Sequence, residues 1–218
     1  MSYELIIGNK NYSSWSLRPW VWMRHHAIEF SETSIALGRP DTAANIAVYQ
    51  SGGTVPVLRD GDQQVWESLA ILEHLAEAHP EKSGWPADPA ARSMARCVSA
   101  EMHAGFAALR SELPMNCRLQ LQRYELSAAV QSDVARIDAL WLACRERFGQ
   151  TGPWLFGRFS IADAMFAPVV FRFRSYAVDV SAGALSYMRT VLADSAVQAW
   201  AEAAALEPDV IESVEMTR

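Results

Sequence analysis

Seven consecutive residues, Ser83-Gly84-Trp85-Pro86-Ala87-Asp88-Pro89, carry two prolines and a glycine. Proline continues neither a helix interior nor a central strand, so this stretch ends whatever precedes it. Before it, short apolar runs alternate with segments of helical spacing; beyond it, helical spacing is almost continuous. At about 150 residues per domain, a chain of 218 allows one large domain or two small ones. The expected division is residues 1–82 as a first domain, 83–90 as a linker and 91–218 as an all-helical second domain.

In the first part, Glu4-Leu5-Ile6-Ile7-Gly8 is an apolar run closed by glycine and predicts a buried strand. A polar loop follows, and Trp20, Val21 and Met23 place a helix over Leu17 to His26. Glu29 to Leu37 alternates loosely, as a second strand would, and a strand-helix-strand unit requires parallel strands. After a short helix around Ala43 to Tyr49, Ser51-Gly52-Gly53-Thr54 turns the chain into Val55-Pro56-Val57-Leu58-Arg59. Proline confines that strand to an edge, a strand start or a bulge. Asp60-Gly61-Asp62 is a hairpin turn, and Gln64-Val65-Trp66 its return strand. Ser68 is a natural N-cap for a helix from Leu69 to Ala78. The order β-α-β-α-β-β-α is that of an α/β thioredoxin-like domain.

In the second part, Met94, Val98, Met102, Phe106, Leu109 and Leu113 form one helical stripe. Pro114-Met115-Asn116-Cys117 interrupts it, and a second stripe runs from Leu126 through Trp141 to Phe148. A third helix starts at Ser160, with a kink expected at Pro168. Ser181 to Ser195 and Ala196 to Leu206 read as two more.

Composition removes several functions. Twenty-five acidic against 19 basic side chains leave a net charge of −6, with scattered arginines, so no nucleic-acid partner is expected. Cys97, Cys117 and Cys144 are odd in number and form no CxxC pair, against a disulfide scaffold. No apolar run reaches the roughly 18 residues of a membrane span, and no basic-then-apolar leader is read at the start. A cytoplasmic protein with no membrane partner is the expectation. His25 and His26 are adjacent and His74 and His79 share no helix face, so no metal site is expected.

Three segments carry chemistry. Tyr12-Ser13-Ser14-Trp15-Ser16-Leu17-Arg18 joins the first strand to the first helix. Pro19 belongs in the opening turn, which places the cap at Ser14 or Ser16. Hydroxyls there sit at the positive end of the helix dipole among unpaired N–H groups, a setting that stabilises a thiolate as readily as it caps a helix. Thr54-Val55-Pro56 at the mouth of a strand can hold a cis bond and offer backbone groups to a peptide ligand, or be an ordinary edge. Glu67-Ser68 at a helix start suits an ammonium and a carboxylate together, or is a plain cap.

Joined in this order, these segments resemble the cytosolic glutathione transferases, over essentially the whole chain. Val55-Pro56 matches the family's Val-Pro, whose proline is cis; Glu67-Ser68-Leu69-Ala70-Ile71 is similar to its E-S-x-A-I signature. Phe159-Ser160-Ile161-Ala162-Asp163 looks like its S-I-A-D box, in which Ser160 and Asp163 cap each other. Ser13-Ser14-Trp15-Ser16-Leu17-Arg18 is most similar to the S-S-C-x-x-R segment of the zeta, maleylacetoacetate isomerase-like, class. The resemblance implies a serine-type enzyme with Ser13 as the activating hydroxyl and Ser14 as its close second. Trp15 stands where the zeta segment has cysteine.

It further implies glutathione as co-substrate, with Trp15, Thr54, Val55, Pro56, Glu67 and Ser68 around it. Val55 would position the cysteinyl unit, and Glu67 and Ser68 the γ-glutamyl end. Met102, Phe106, Asn116 and Arg118 are the candidates for the electrophile, and a homodimer is the expected assembly. The implied activity is conjugation of a small electrophile, a detoxification reaction. Glutathione-dependent isomerisation, dehalogenation or peroxide reduction, and a non-catalytic binding module on the same fold, are the alternatives.

Overall fold

The computed structural model describes residues 3–215. Strand β1 (Tyr3–Gly8) leads through a tight loop into helix α1 (Ser14–His25), then β2 (Phe30–Ile35), α2 (Thr42–Ala47), β3 (Val57–Asp60), β4 (Gln63–Trp66) and α3 (Ser68–Ala78). The sheet order is β2-β1-β3-β4, with β1 parallel to β2 and the other pairs antiparallel. Side chains of β1 alternate between two cores, as the period of a strand requires. Leu5 and Ile7 enter the main core beneath α1 and α3. Ile6 joins Ile35, Ile46 and Val57 on the face covered by α2.

Helices α4 (Pro89–Ala104), α5 (Ala107–Glu112), α6 (Ala128–Phe148), α7 (Ile161–Ser175), α8 (Ala182–Ala193) and α9 (Ser195–Leu206) make up the rest. One apolar core runs from β1 and α1 through α7 to α9, so the two parts of the chain share a single interior. Helix α1 lies between them, packed on α7, α9 and α3, and every residue from Ser16 to Met23 is buried. A helix apolar on all sides has no solvent face to expose. The loop preceding it is held against α9, where Trp200 Nε1 donates to the Lys10 carbonyl at 2.8 Å. The Trp20 and Trp200 rings meet edge-on, and the Lys10 ammonium lies 5.7 and 5.6 Å from their centres and pairs with Glu32.

Three local expectations change. Helix α1 begins earlier than its apolar spacing indicates, with Ser13, not Ser14 or Ser16, as the cap residue. Pro19 therefore sits beyond the opening turn, where it removes one helical hydrogen bond. Packing on three neighbouring helices outweighs that loss. Ser68 is the first residue of α3 and not its cap; Glu67 occupies the cap position at φ 70°. The stripe from Met94 to Leu113 is two helices, because Gly105 ends α4 and Phe106 turns into the left-handed region at φ 58°. A Cβ at Gly105 would lie 2.8 Å from the Glu101 carbonyl oxygen, so the chain turns there only with glycine. The Asp133 carboxylate accepts the Leu109 N–H at 2.9 Å and anchors the short α5. The return strand leaves the Trp66 side chain exposed.

Helix α7 is apolar along most of its length, and its N-terminus is buried, so its orphan N–H groups need partners inside the protein. Ser160 and Asp163 form a capping box in which one Asp163 oxygen accepts from the Ser160 N–H and hydroxyl, both at 2.9 Å. The other accepts from the Leu155 N–H and the Tyr187 hydroxyl, each at 3.1 Å. Burial pushes this carboxyl up to about 6 against the four hydrogen bonds that favour its charge, leaving it ionised at neutral pH. Asp163→Ala leaves four buried donors without their acceptor. A loss of about 3 kcal/mol is expected by urea denaturation; a loss below about 1 kcal/mol would show that the box does not hold α7.

Candidate active site

Two helix N-termini converge on one cavity. Trp15, Thr54, Val55, Pro56, Glu67 and Ser68 line it, enclosing about 200 Å3. Its floor is set by the turn before β3. Ser51 Oγ donates to the Thr54 carbonyl at 2.6 Å and Thr54 Oγ1 returns to the Ser51 carbonyl at 3.0 Å. The Thr54 carbonyl and hydroxyl are thereby both used within the turn. The Val55–Pro56 bond is cis. Among the described residues no hydrogen bond engages the Val55 N–H or C=O, so an extended ligand can pair with both.

On the facing side, α3 starts with its first-turn N–H groups unpaired by any described residue up to Ile71, which bonds to the Glu67 carbonyl at 2.9 Å. Such an N-terminus attracts a carboxylate. Glu67 holds a positive φ that costs a non-glycine residue about 1–3 kcal/mol. The exposed Glu67 carboxylate lies 3.5 Å from His103 Nε2 on α4. Burial, with Arg18 nearby, lowers the His103 pKa below its usual 6.5. At neutral pH the ring is uncharged and does not act as a counter-ion to Glu67.

The two serines at the start of α1 differ in what surrounds them. Ser13 is buried, and its hydroxyl donates at 2.7 Å to Ser16 Oγ, which also accepts the Gly8 N–H at 3.1 Å. This network ties β1 to α1. Ser14 is half-buried beside Trp15, and its hydroxyl meets only Arg172 Nη2, at 3.4 Å. The backbone N–H groups of Trp15 and Ser16 have no partner among the described residues.

Arginines surround this end of α1. The fully buried Arg18 guanidinium lies 4.1 Å from the centre of the Trp15 ring and donates to Ser68 Oγ at 3.3 Å; its Nε has no partner. Arg18 thus joins the starts of α1 and α3. Burial, with Arg172 and Arg110 adding repulsion, drives its pKa well below the usual arginine value, and burial brings Arg172 to about 10. Arg172, on α7, donates its Nε to the Leu113 carbonyl at 2.8 Å. Arg110, on α5, reaches to 5.5 Å from the Trp15 ring centre, and the His103 ring meets the same indole edge-on at 5.1 Å. The sequence reading missed Arg110, Arg172 and His103. For Arg172 the signal was a charged residue in the otherwise apolar run Met165 to Phe173.

The four residues expected at the electrophile are not among those that line this cavity. Met102 and Phe106 are core side chains. Asn116 is buried, its Oδ1 accepting from Asn11 Nδ2 at 2.9 Å and from the Arg118 and Leu119 N–H groups. Arg118 donates to the carbonyls of Glu207 and Asp209 and to the Tyr12 hydroxyl. Both residues face the chain end and the loop before α1, because the break after α5 needs internal partners for its own backbone. A wider groove of about 1110 Å3, along 122–126, α6 and 177–179, includes none of the residues named for chemistry.

Two family models match the chain: glutathione S-transferase, N-terminal domain, over residues 12–78, and glutathione S-transferase, C-terminal domain, over 127–203. A probable maleylacetoacetate isomerase of Caenorhabditis elegans is 26% identical over 98 residues, 45% of each chain, so the match spans under half of that relative. A Burkholderia glutathione transferase homologue with bound glutathione superposes with a TM-score of 0.69 at 22% identity, over 94% of this chain and 98% of that one. A diazinon-metabolizing glutathione S-transferase of the silkworm Bombyx mori gives 0.73 at 15% identity, over 94% and 97%. With both halves matched in order, and the four-stranded sheet and helical half in place, the chain belongs to the glutathione S-transferase superfamily.

Proposed function

We propose that this protein is a serine-type glutathione transferase, and that Ser14 supplies the hydroxyl that holds the glutathione thiolate. The observation that carries this reading is the meeting, in one cavity, of unpaired Val55 backbone groups, the open N-terminus of α3 beside Glu67, and the open N-terminus of α1. Each suits one part of a γ-glutamyl tripeptide. The α-carboxylate takes the α3 N–H groups and Ser68, the ammonium takes Glu67, and the cysteinyl amide pairs with Val55. Its sulfur then falls towards Ser14. The solved Burkholderia homologue with bound glutathione supports the choice of ligand.

A free thiol with a pKa of about 8.5 is mostly protonated at neutral pH. Lowering it by about two units needs roughly 2.7 kcal/mol of preferential thiolate stabilisation. A hydroxyl bonded to the anion supplies about 1.5–3 kcal/mol, and the helix terminus about 0.3–1 kcal/mol. Arg172, touching Ser14, aligns the hydroxyl with its proton towards the sulfur. Ser13 is committed to Ser16 and serves the frame. The thiolate then attacks an electrophile placed beside it, and proximity supplies the remaining acceleration. A homodimer in the cytoplasm acting in detoxification belongs to the same reading.

The C. elegans relative favours a second reading on the same site, in which the thiolate adds reversibly to a double bond and glutathione is returned unchanged. Consumption of glutathione separates the two.

Ultraviolet titration of bound glutathione tests the assignment. Wild type is expected to hold the thiol well below its free pKa, and Ser14→Ala to raise it by about one to two pH units. Ser13→Ala should lower stability and leave the bound thiol pKa low. An unshifted pKa in wild type would remove the thiolate role altogether. The protein's own thiols are a separate matter: burial pushes Cys117 and Cys144 up to about 12, while Cys97 is exposed. One thiol per folded chain should react with a disulfide reagent at pH 8, and three after denaturation. Loss of transferase activity on blocking Cys97 would point to a cysteine mechanism instead.

A further inference from the structure

His103 lies in the last turn of α4, just before the break at Gly105. Its ring meets the Trp15 indole edge-on with centres 5.1 Å apart, and its Nε2 lies 3.5 Å from the Glu67 carboxylate. The ring thus touches two of the residues that line the cavity. Its Nδ1 is buried and has no partner among the described residues. The charged groups that face the ring come from three other helices: Arg18 on α1, Arg110 on α5 and Glu67 at the start of α3. Arg110 is held there by its own donation to the His103 carbonyl at 3.1 Å. The two arginines repel a charged ring, and Glu67 attracts it.

A neutral imidazole asks little of Glu67, since 3.5 Å is too long for a strong hydrogen bond. Protonation changes this. Both ring nitrogens become donors, the buried Nδ1 has no acceptor in place, and Glu67 is the carboxylate that answers the new charge. Burial and Arg18, with Arg110 behind them, outweigh the attraction of Glu67 and hold the ring below its usual pKa, so its charged form belongs to mildly acidic conditions. An ammonium hydrogen-bonded to the same carboxylate stands a few ångströms from the ring, inside the Debye length of about 8 Å. Two cations then share one carboxylate, and each weakens the hold on the other.

We propose that His103 controls access to Glu67: the protonated ring pairs with that carboxylate and opposes the ammonium of glutathione, and binding of glutathione expels the proton. This rests on the reading of the cavity as a glutathione site, with Glu67 as partner of the ammonium. His103 is then a positioning residue, since its charge decides whether Glu67 is free for the ligand. Linkage fixes the sign. The ligand prefers the neutral ring, so affinity is steady at neutral pH and falls as pH drops through the titration of His103. Reciprocally, the bound ligand pulls the pKa of the ring further down.

S-methylglutathione is the probe, because its blocked sulfur leaves no thiol to titrate near neutrality. By calorimetry its binding should be about four- to tenfold weaker at pH 5 than at pH 7.5. Comparison of two buffers of different ionisation enthalpy should show protons released on binding at pH 5.5. His103→Asn should bind the probe with a Kd that changes by less than about twofold over the same range. Proton NMR follows the rings in wild type, independently of how well the variant folds: one histidine titration should move down by at least about half a pH unit when the probe saturates the site. A wild-type Kd that is flat with pH, or one that tightens towards acid, overturns the proposal. So does an acid weakening retained in folded His103→Asn, or a set of histidine titrations that the probe leaves unmoved. Any of these with binding intact at pH 7.5 sinks the role of His103 alone. No binding of the probe at any pH sinks the reading of the cavity, and the role with it.

Discussion

Helix α1 is enclosed on every side, and the position of its first turn depends on that enclosure. The sheet and α3 bound it on one side, α7 and α9 on the other. Its N-terminus is fixed from β1 by the Ser13–Ser16–Gly8 network and from α3 by Arg18 on Ser68. Ser14 meets Arg172 only because α7, from the far half of the chain, packs against α1. The site is therefore a property of the contact between two domains. A substitution that loosens α7, far from any ligand, acts on the alignment of Ser14 through the same packing.

The electrostatics of the site run against those of the whole molecule. The chain carries a net charge of −6, yet two helix N-termini and three arginines aim positive potential at one small volume. Overall charge speaks to solubility and to encounter with large polyanions. Local charge speaks to the ligand, and among the described residues Arg18, Arg110 and Arg172 have no carboxylate within 4 Å. Arg118 shows the contrast. Its donors end on two carbonyls and a tyrosine hydroxyl, and the Glu215 carboxylate lies 3.8 Å away.

Features carried by short-range chemistry were legible in the sequence. The order of strands and helices along the first half followed from turn residues and alternation, and Trp15, Thr54, Val55, Pro56, Glu67 and Ser68, read from three separate segments, line one cavity. What escaped depends on tertiary placement. That Ser13 is buried and Ser14 half-buried is decided by one residue of helix phase, and Ser13, Ser14 and Ser16 are equally good caps on paper. The break at Gly105 hides in a stripe whose apolar spacing continues unbroken through Phe106 and Leu109. Asn116 was read as facing a ligand because a helix break after a proline frees polar groups. Such a break also frees backbone groups that need a partner, and Asn116 supplies one.

Nothing in the periodicity announced the role of the segment after α9. Glu207 accepts the N–H groups of Lys10 and Asn11 at 2.6 and 2.9 Å, Asp209 accepts from Asn9 and pairs with Arg39, and Tyr12 donates to Glu215. These contacts satisfy the donors of the 9–12 loop from outside. A loop of unpaired N–H groups would otherwise compete for any anion brought to the site. With the Lys10 and Asn11 donors taken, the N–H groups of Trp15 and Ser16 at the head of α1 have no partner among the described residues. The chain end thus acts on chemistry it does not touch: it leaves the helix terminus as the place where a negative charge is best accommodated.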